Sequence, residues 1–264
     1  MIKNQSDHRD CVTLPVLLTG ASGNLGGELA RQLARPGVRL SLWGRDLPRL
    51  ESTAQACRDK GAQVAVRVID LADTAAARSA FAAEDEAAPF AMVLLVAGQG
   101  ATLAAGATIE DPEQVASQCH LNFTATAALA AAVAERMCAR GHGRIGIIGS
   151  AAAAHSLPFA PSYAASKAGL ARFADALRLA ARPHGVSVTL ATPGFISAGS
   201  NAAAARPPRP FEIPVERVAR AIITAVDARA AERVVPRWFT LLKLFDRALP
   251  RPLRDRLLSS LPNP

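Results

Sequence analysis

A chain of 264 residues, half of them apolar and a fifth charged, has the length of one large α/β domain and the balance of an ordinary folded globule. It holds no run of 18 apolar residues that would make a spanning helix, and its polar start, MIKNQSDHRD, lacks the apolar core of a secretory signal. The net charge of +8 comes without interleaved aromatics or a nucleic-acid motif, which argues against nucleic acid as a partner. Four cysteines (Cys11, Cys57, Cys119, Cys138) at scattered positions form no metal-ligand spacing and fit a reduced, cytoplasmic protein with no metal site.

Residues 1–11 read as an N-terminal extension, and apolar runs then alternate with helical stretches. The first run, 12–20, ends in Thr19-Gly20-Ala21-Ser22-Gly23-Asn24-Leu25-Gly26 and leads into a helix over Glu28–Arg35. Glycines there permit a tight turn whose backbone approaches a pyrophosphate at the helix N-terminus. The second run, 38–44, is followed by Arg45-Asp46 and a helix over Leu47–Lys60. An NAD-binding chain carries an acid at that strand end for the ribose hydroxyls. Arg45 instead suits a 2′-phosphate, with Ser22 placed to add a hydroxyl, which makes NADP(H) the expected cofactor over NAD(H). The alternative is a solvated arginine beside an N-capping Asp46.

The third run, 63–71, brings Asp70-Leu71 toward the adenine, and Asp73 caps a helix over Thr74–Ala83. The fourth, 92–98, ends in Ala97-Gly98, small residues that let a cofactor pass. A long helix over Pro112–Arg140 follows, with Gly141 as its stop. The fifth run, 144–150, ends in Ser150, where α/β folds place their ligands. A helix over Tyr163–Arg182 then carries SYAASKAGL, which puts Tyr163, the only tyrosine, and Lys167 on one face. A neighbouring ammonium favours the phenolate, making Tyr163 a usable general acid and base. A sixth run (187–194), a loop-like Ala198–Pro214, a helix over Val215–Ala230 and a seventh run (233–238) complete the pattern. Such alternation predicts one doubly wound, Rossmann-like α/β domain over 12–240, with a parallel sheet of about seven strands.

Tyr163, Lys167, Ser150 and the glycine turn together resemble the short-chain dehydrogenase/reductase superfamily, over roughly residues 12 to 240. The resemblance adds Asn122, in HLNFTATAAL, and Pro193-Gly194, with Ile196 and Ser197 placed to contact the nicotinamide amide. It implies hydride transfer between nicotinamide and a carbonyl or alcohol carbon. Ser150 would polarise the carbonyl and Tyr163 deliver the proton. Lys167 would bind the nicotinamide ribose and lower the tyrosine pKa, while Asn122 would hold a water linking Lys167 to solvent. It also implies a homodimer or homotetramer. Two departures stand out: Asn24 replaces the middle glycine of TGxxxGxG, and Val96-Ala97-Gly98 replaces Asn-Ala-Gly, which removes a sheet-bracing bond.

The small, Pro-interrupted Ala198–Pro214 suggests an apolar substrate. Sugar-nucleotide epimerases and dehydratases share the glycine spacing, but only about 70 residues follow Pro193 here, too few for their substrate domain. A non-catalytic NADP(H) sensor is the other alternative, although such proteins typically lose the tyrosine or lysine. The tail, 241–264, is basic and amphipathic. Trp238, Leu241, Leu242, Phe245 and Leu249 recur at helical spacing among Arg237, Lys243, Arg247, Arg251, Arg254 and Arg256. This pattern fits peripheral contact with an anionic membrane, and equally a cap on the pocket or a face for another subunit.

Overall fold

A computed structural model describes residues 14–104, 106–197, 211–241 and 249–259. Residues 1–13, 198–210, 242–248 and 260–264 therefore take the N-terminal extension, most of the expected specificity loop and part of the tail outside the described residues.

Seven parallel strands form one sheet in the order β3-β2-β1-β4-β5-β6-β7: β1 (Leu14–Thr19), β2 (Val38–Gly44), β3 (Gln63–Val68), β4 (Met92–Leu95), β5 (Gly143–Ile148), β6 (Val186–Pro193) and β7 (Glu232–Val235). The helices between them are α1 (Asn24–Leu33), α2 (Leu47–Arg58), α3 (Thr74–Ala87), α4 (Pro112–Cys119), α5 (Thr126–Ala139), α6 (Pro161–Ala181) and α7 (Val215–Asp227). Order reverses at β1, whose neighbours are β2 and β4, and a doubly wound sheet binds ligands at that point.

The unbroken apolar strands follow from two cores, one on each sheet face. In β1, Val16 and Leu18 point into a cluster with Leu29 of α1, Leu50 of α2 and Ile222 of α7. Leu17 points the other way, toward Phe81 of α3, Val133 of α5 and Leu170 of α6. The exception is β3, the sheet edge, where Gln63, Ala65, Arg67 and Val68 are exposed. Its strand stops at Val68, short of the expected 63–71.

Asp46, Asp73 and Asp111 cap α2, α3 and α4 by accepting from Arg49, Ala76 and Gln114 N–H. Gly141, at φ 80°, ends α5 in the left-handed conformation that glycine adopts without strain. The helix expected over Pro112–Arg140 is interrupted by a π-helical turn, His120–Ala125. Such turns concentrate at functional sites, and this one carries Asn122.

After β7, Trp238 stacks on Phe239 at 4.4 Å and meets Phe211 edge-on at 5.3 Å. Part of the tail is a short helix, α8 (Arg251–Ser259), which buries Leu258 and leaves Leu253 and Leu257 exposed. Among the described residues no helix is long and apolar enough to cross a membrane.

Candidate active site

Beyond the C-terminal ends of β1, β2 and β4 lies a cleft of about 320 Å³. Its floor is the turn between β1 and α1. Gly20 sits at φ 69°, and a Cβ there would come within 2.8 Å of the Ala97 backbone. A Cβ on Gly26 would strike the Gly20 carbonyl oxygen. Both positions therefore require glycine, one for its conformation and the other for close packing of α1 on the turn. Gly20, Ser22, Gly23, Asn24, Leu25 and Gly26 all line the cleft, as do Arg45, Asp70, Leu71, Ala97 and Gly98.

A second guanidinium, Arg49, not singled out from the sequence, lines the cleft together with Arg45. Its signal was available, since the two are four apart across the start of α2. Asp46, between them, spends its carboxylate on capping α2. Asp70 accepts from Ala72 N–H at 3.0 Å, which shapes the turn beneath Leu71.

Asn24, in place of the expected middle glycine, donates from Nδ2 to the Ser197 carbonyl at 2.9 Å. This bond ties the phosphate turn to the segment after β6. That segment is held in turn by Ser197 N–H on Ile213 and Ile213 N–H on Phe195, each 2.9 Å. Pro193, Gly194 and Ile196 do not line the cleft. A Cβ on Gly194 would run into the Phe239 ring at 2.5 Å, so this glycine makes room for an aromatic. The bracing bond expected to be lost at Val96 is replaced. The buried Thr19 hydroxyl accepts from Val96 N–H at 3.0 Å and Ala97 N–H at 3.3 Å.

The second cluster assembles on α6. Lys167 is buried, and its ammonium donates to the Ile148 carbonyl at the end of β5, 3.0 Å away. Burial pushes its pKa down to about 8. Ser150, half-buried, caps a 3₁₀ turn over Ala151–Ala154 by accepting from Ala152 N–H at 3.2 Å. A side-chain hydrogen bond joins it to Tyr163. Burial raises the Tyr163 phenol above its ordinary 10, and the bond with Ser150 pulls it part of the way back. In the polypeptide alone burial and Ser150 set the phenol, and Lys167 is not among the groups that lower it.

Asn122 is fully buried. Its Oδ1 accepts from Gln99 N–H and its Nδ2 donates to the Gln99 carbonyl, both at 2.8 Å, with a further bond to Ser166 Oγ at 3.3 Å. Its side-chain amide therefore clamps the loop after β4. Gly98 permits this crowding, since a Cβ there would lie 3.1 Å from Asn122 Oδ1 and 3.2 Å from Lys167 Nζ.

Two further candidates serve other ends. Nε2 of His120 lies 2.8 Å from the Ala72 carbonyl, joining the π-helical turn to the loop after β3. His155, in the loop after Ser150, is half-buried.

Comparison with known proteins agrees with this geometry. The family model for short chain dehydrogenases matches residues 15–208. An uncharacterized oxidoreductase of Myxococcus xanthus is 32% identical over 240 residues, covering 90% of this chain and 94% of that protein. Two other curated relatives are longer, and the match spans 57% of their length. Among solved structures, a bulky-bulky ketone specific alcohol dehydrogenase from Comamonas testosteroni superposes with a TM-score of 0.76 at 25% identity, covering 94% of each chain. A short-chain dehydrogenase from Sphingobium yanoikuyae in complex with NADPH superposes with a TM-score of 0.75 at 28% identity, covering 94% of this chain and 96% of that one.

Proposed function

The chain belongs to the short-chain dehydrogenase/reductase family, and we propose that it interconverts a carbonyl compound and a secondary alcohol with NADP(H). The observation that carries this reading is Tyr163 hydrogen-bonded to Ser150, with the buried ammonium of Lys167 one turn along the same helix.

The residues present fit a phosphorylated dinucleotide. Gly20 and Gly26 keep the turn low enough for a pyrophosphate to reach the N-terminus of α1, where backbone N–H groups and the helix dipole favour anions. Arg45 and Arg49 flank the end of β2, where a 2′-phosphate would meet two cations and no free carboxylate. Lys167 would hold the nicotinamide ribose, and Ile196 and Ser197 the carboxamide. When bound, the nicotinamide supplies or receives the hydride at the substrate carbon.

The chain's own groups handle the proton. In reduction, Ser150 Oγ holds the carbonyl oxygen while Tyr163 gives its phenolic proton to that oxygen, leaving a phenolate that the Lys167 ammonium stabilises. In oxidation Tyr163 takes the alcohol proton back. Burial holds the phenol above its ordinary pKa, so at neutral pH it carries the proton that reduction requires. The small side chains of Ala151–Ala154 beside Ser150 and the half-exposed Phe195 support an apolar, bulky carbonyl substrate, as does the ketone specificity named for the Comamonas relative.

Tyr163→Phe tests the proposal. Turnover of a bulky ketone followed through NADPH absorbance should fall by roughly 10²–10⁴-fold, with NADPH affinity kept. Retained turnover would overturn the assignment of Tyr163, and a parent protein that binds NADPH but reduces no carbonyl compound would be a cofactor sensor instead.

A further inference from the structure

Helix α6 carries Tyr163 and Lys167, yet its own start is poorly equipped. Its N-cap residue is Ala160, which offers no side-chain bond, and Pro161 at the first position has no N–H. The first free donor is Ser162 N–H, adjacent to Tyr163. It is met from 52 residues away, because Glu110 Oε2 accepts it at 2.9 Å. Glu110 is 7% exposed, and its other oxygen, Oε1, is buried without a hydrogen-bond partner among the described residues. A buried carboxylate with one oxygen unsatisfied costs stability, whereas a serine or aspartate at position 160 would cap the helix locally without that cost. Capping alone does not explain the arrangement.

What Glu110 adds is a connection. It closes the loop that begins at Gly98, and the first part of that loop lies against the catalytic cluster. Gln99 is clamped by Asn122, a Cβ on Gly100 would lie 3.9 Å from the Tyr163 ring, and Leu103 N–H bonds to the Phe159 carbonyl at 2.9 Å. Ser162 Oγ donates to Gln118 Oε1 at 2.6 Å, and Gln118 Nε2 donates to the Gln99 carbonyl at 3.0 Å. The loop and the first turn of α6 are thus joined at both ends by buried polar bonds.

We propose that Glu110 is a positioning residue for Tyr163. Its carboxylate sets the first turn of α6 against the loop after β4 and so fixes the phenol relative to Ser150. This rests on Tyr163 being the proton donor proposed above, and the Tyr163→Phe experiment judges that premise separately.

Two near-isosteric variants separate reach from charge. Glu110→Gln keeps an oxygen acceptor at full length without the charge. Glu110→Asp keeps the charge but withdraws the oxygens by one methylene. With NADPH at saturation, Glu110→Asp is expected to lower kcat about tenfold, in line with the rate cost of small misplacements, with the NADPH Kd unchanged. Glu110→Gln should remain within about twofold of the parent. Both are assayed well below their melting temperatures, and the NADPH Kd reports that the fold is intact even where activity is lost. Equal kcat in all three proteins would overturn the proposal. So would equal losses in both variants, or a loss in Glu110→Asp that follows a weakened NADPH Kd. A Tyr163-dependent enzyme indifferent to Glu110 would leave the proposed function standing while removing this inference.

Discussion

The two ends of the site are built by opposite means. At the phosphate end, the short turn from Gly20 to Gly26 makes the floor, and the polar groups there, Arg45 and Arg49, stand on an open cleft. At the catalytic end, four segments far apart in sequence bring side chains together. Asn122 and Lys167 are buried, as are their supports Gln118, Ser162 and Ser166. The difference teaches where stability is given up for function. A glycine turn stabilises the fold and serves the ligand with the same atoms, while a buried ammonium is a cost that only the chemistry justifies.

Lys167 puts that contrast to its hardest test. Unfolded, it keeps its proton to about 10.5, but in the folded chain burial lowers that to about 8. Below pH 8 both states are protonated and the whole penalty, about 3 kcal/mol, is present. Between the two values the unfolded state binds more protons, so stability rises with pH. Lys167→Met removes the penalty and strands the Ile148 carbonyl, a loss of about 1 kcal/mol. Turnover should fall by about 10²-fold or more. The cofactor-free variant should nevertheless melt a few degrees above the parent at pH 7, and the gap should close as pH approaches 10. A variant that melted lower at pH 7 would show that the ammonium is stabilising in place, and the contrast between the two ends would fail.

The phosphate end answers to a smaller change. Arg45→Ala and Arg49→Ala should each weaken NADPH binding about tenfold, the low end for a charge-assisted bond at an exposed site, and leave NADH binding nearly unchanged. Equal weakening of both cofactors would mean that the arginines only attract negative charge and read no 2′-phosphate.

The same division explains what the amino-acid sequence revealed. The glycine turn, Arg45 and the Tyr163–Lys167 spacing are local patterns, and the structure brings Tyr163, Lys167 and Ser150 together as their order implied. Sheet topology was legible because seven apolar runs alternate with helices, a pattern that only a two-faced core explains. Partners remote in sequence were not legible. Nothing in the chain near Ala160 announces Glu110, and nothing near Asn122 announces that Gln99 occupies both ends of its amide. The π-helical turn was hidden as well, since Pro112–Arg140 has the composition of one helix and the tertiary bonds that Asn122 makes from that turn reach residues remote in sequence. The register of the segment after β6 is likewise set by Asn24 reaching Ser197, a bond 173 residues long in sequence.

The smallest expected effect bears most directly on the balance at the catalytic end. Because Tyr163 is the only tyrosine, tyrosinate absorbance titrates it without interference from other phenols. Desolvation raises its pKa and the Ser150 bond lowers it, with burial the larger of the two. The cofactor-free protein should therefore show a midpoint above 10 while circular dichroism reports it folded. Adding NADP⁺ brings a positive ring close to the phenol and should move the midpoint down. In Ser150→Ala the cofactor-free midpoint should rise further, since the only opposing contribution is gone. A cofactor-free midpoint at or below 10 would mean that Lys167 already overcomes desolvation in the polypeptide alone, so that the catalytic end, like the phosphate end, is set before the cofactor arrives.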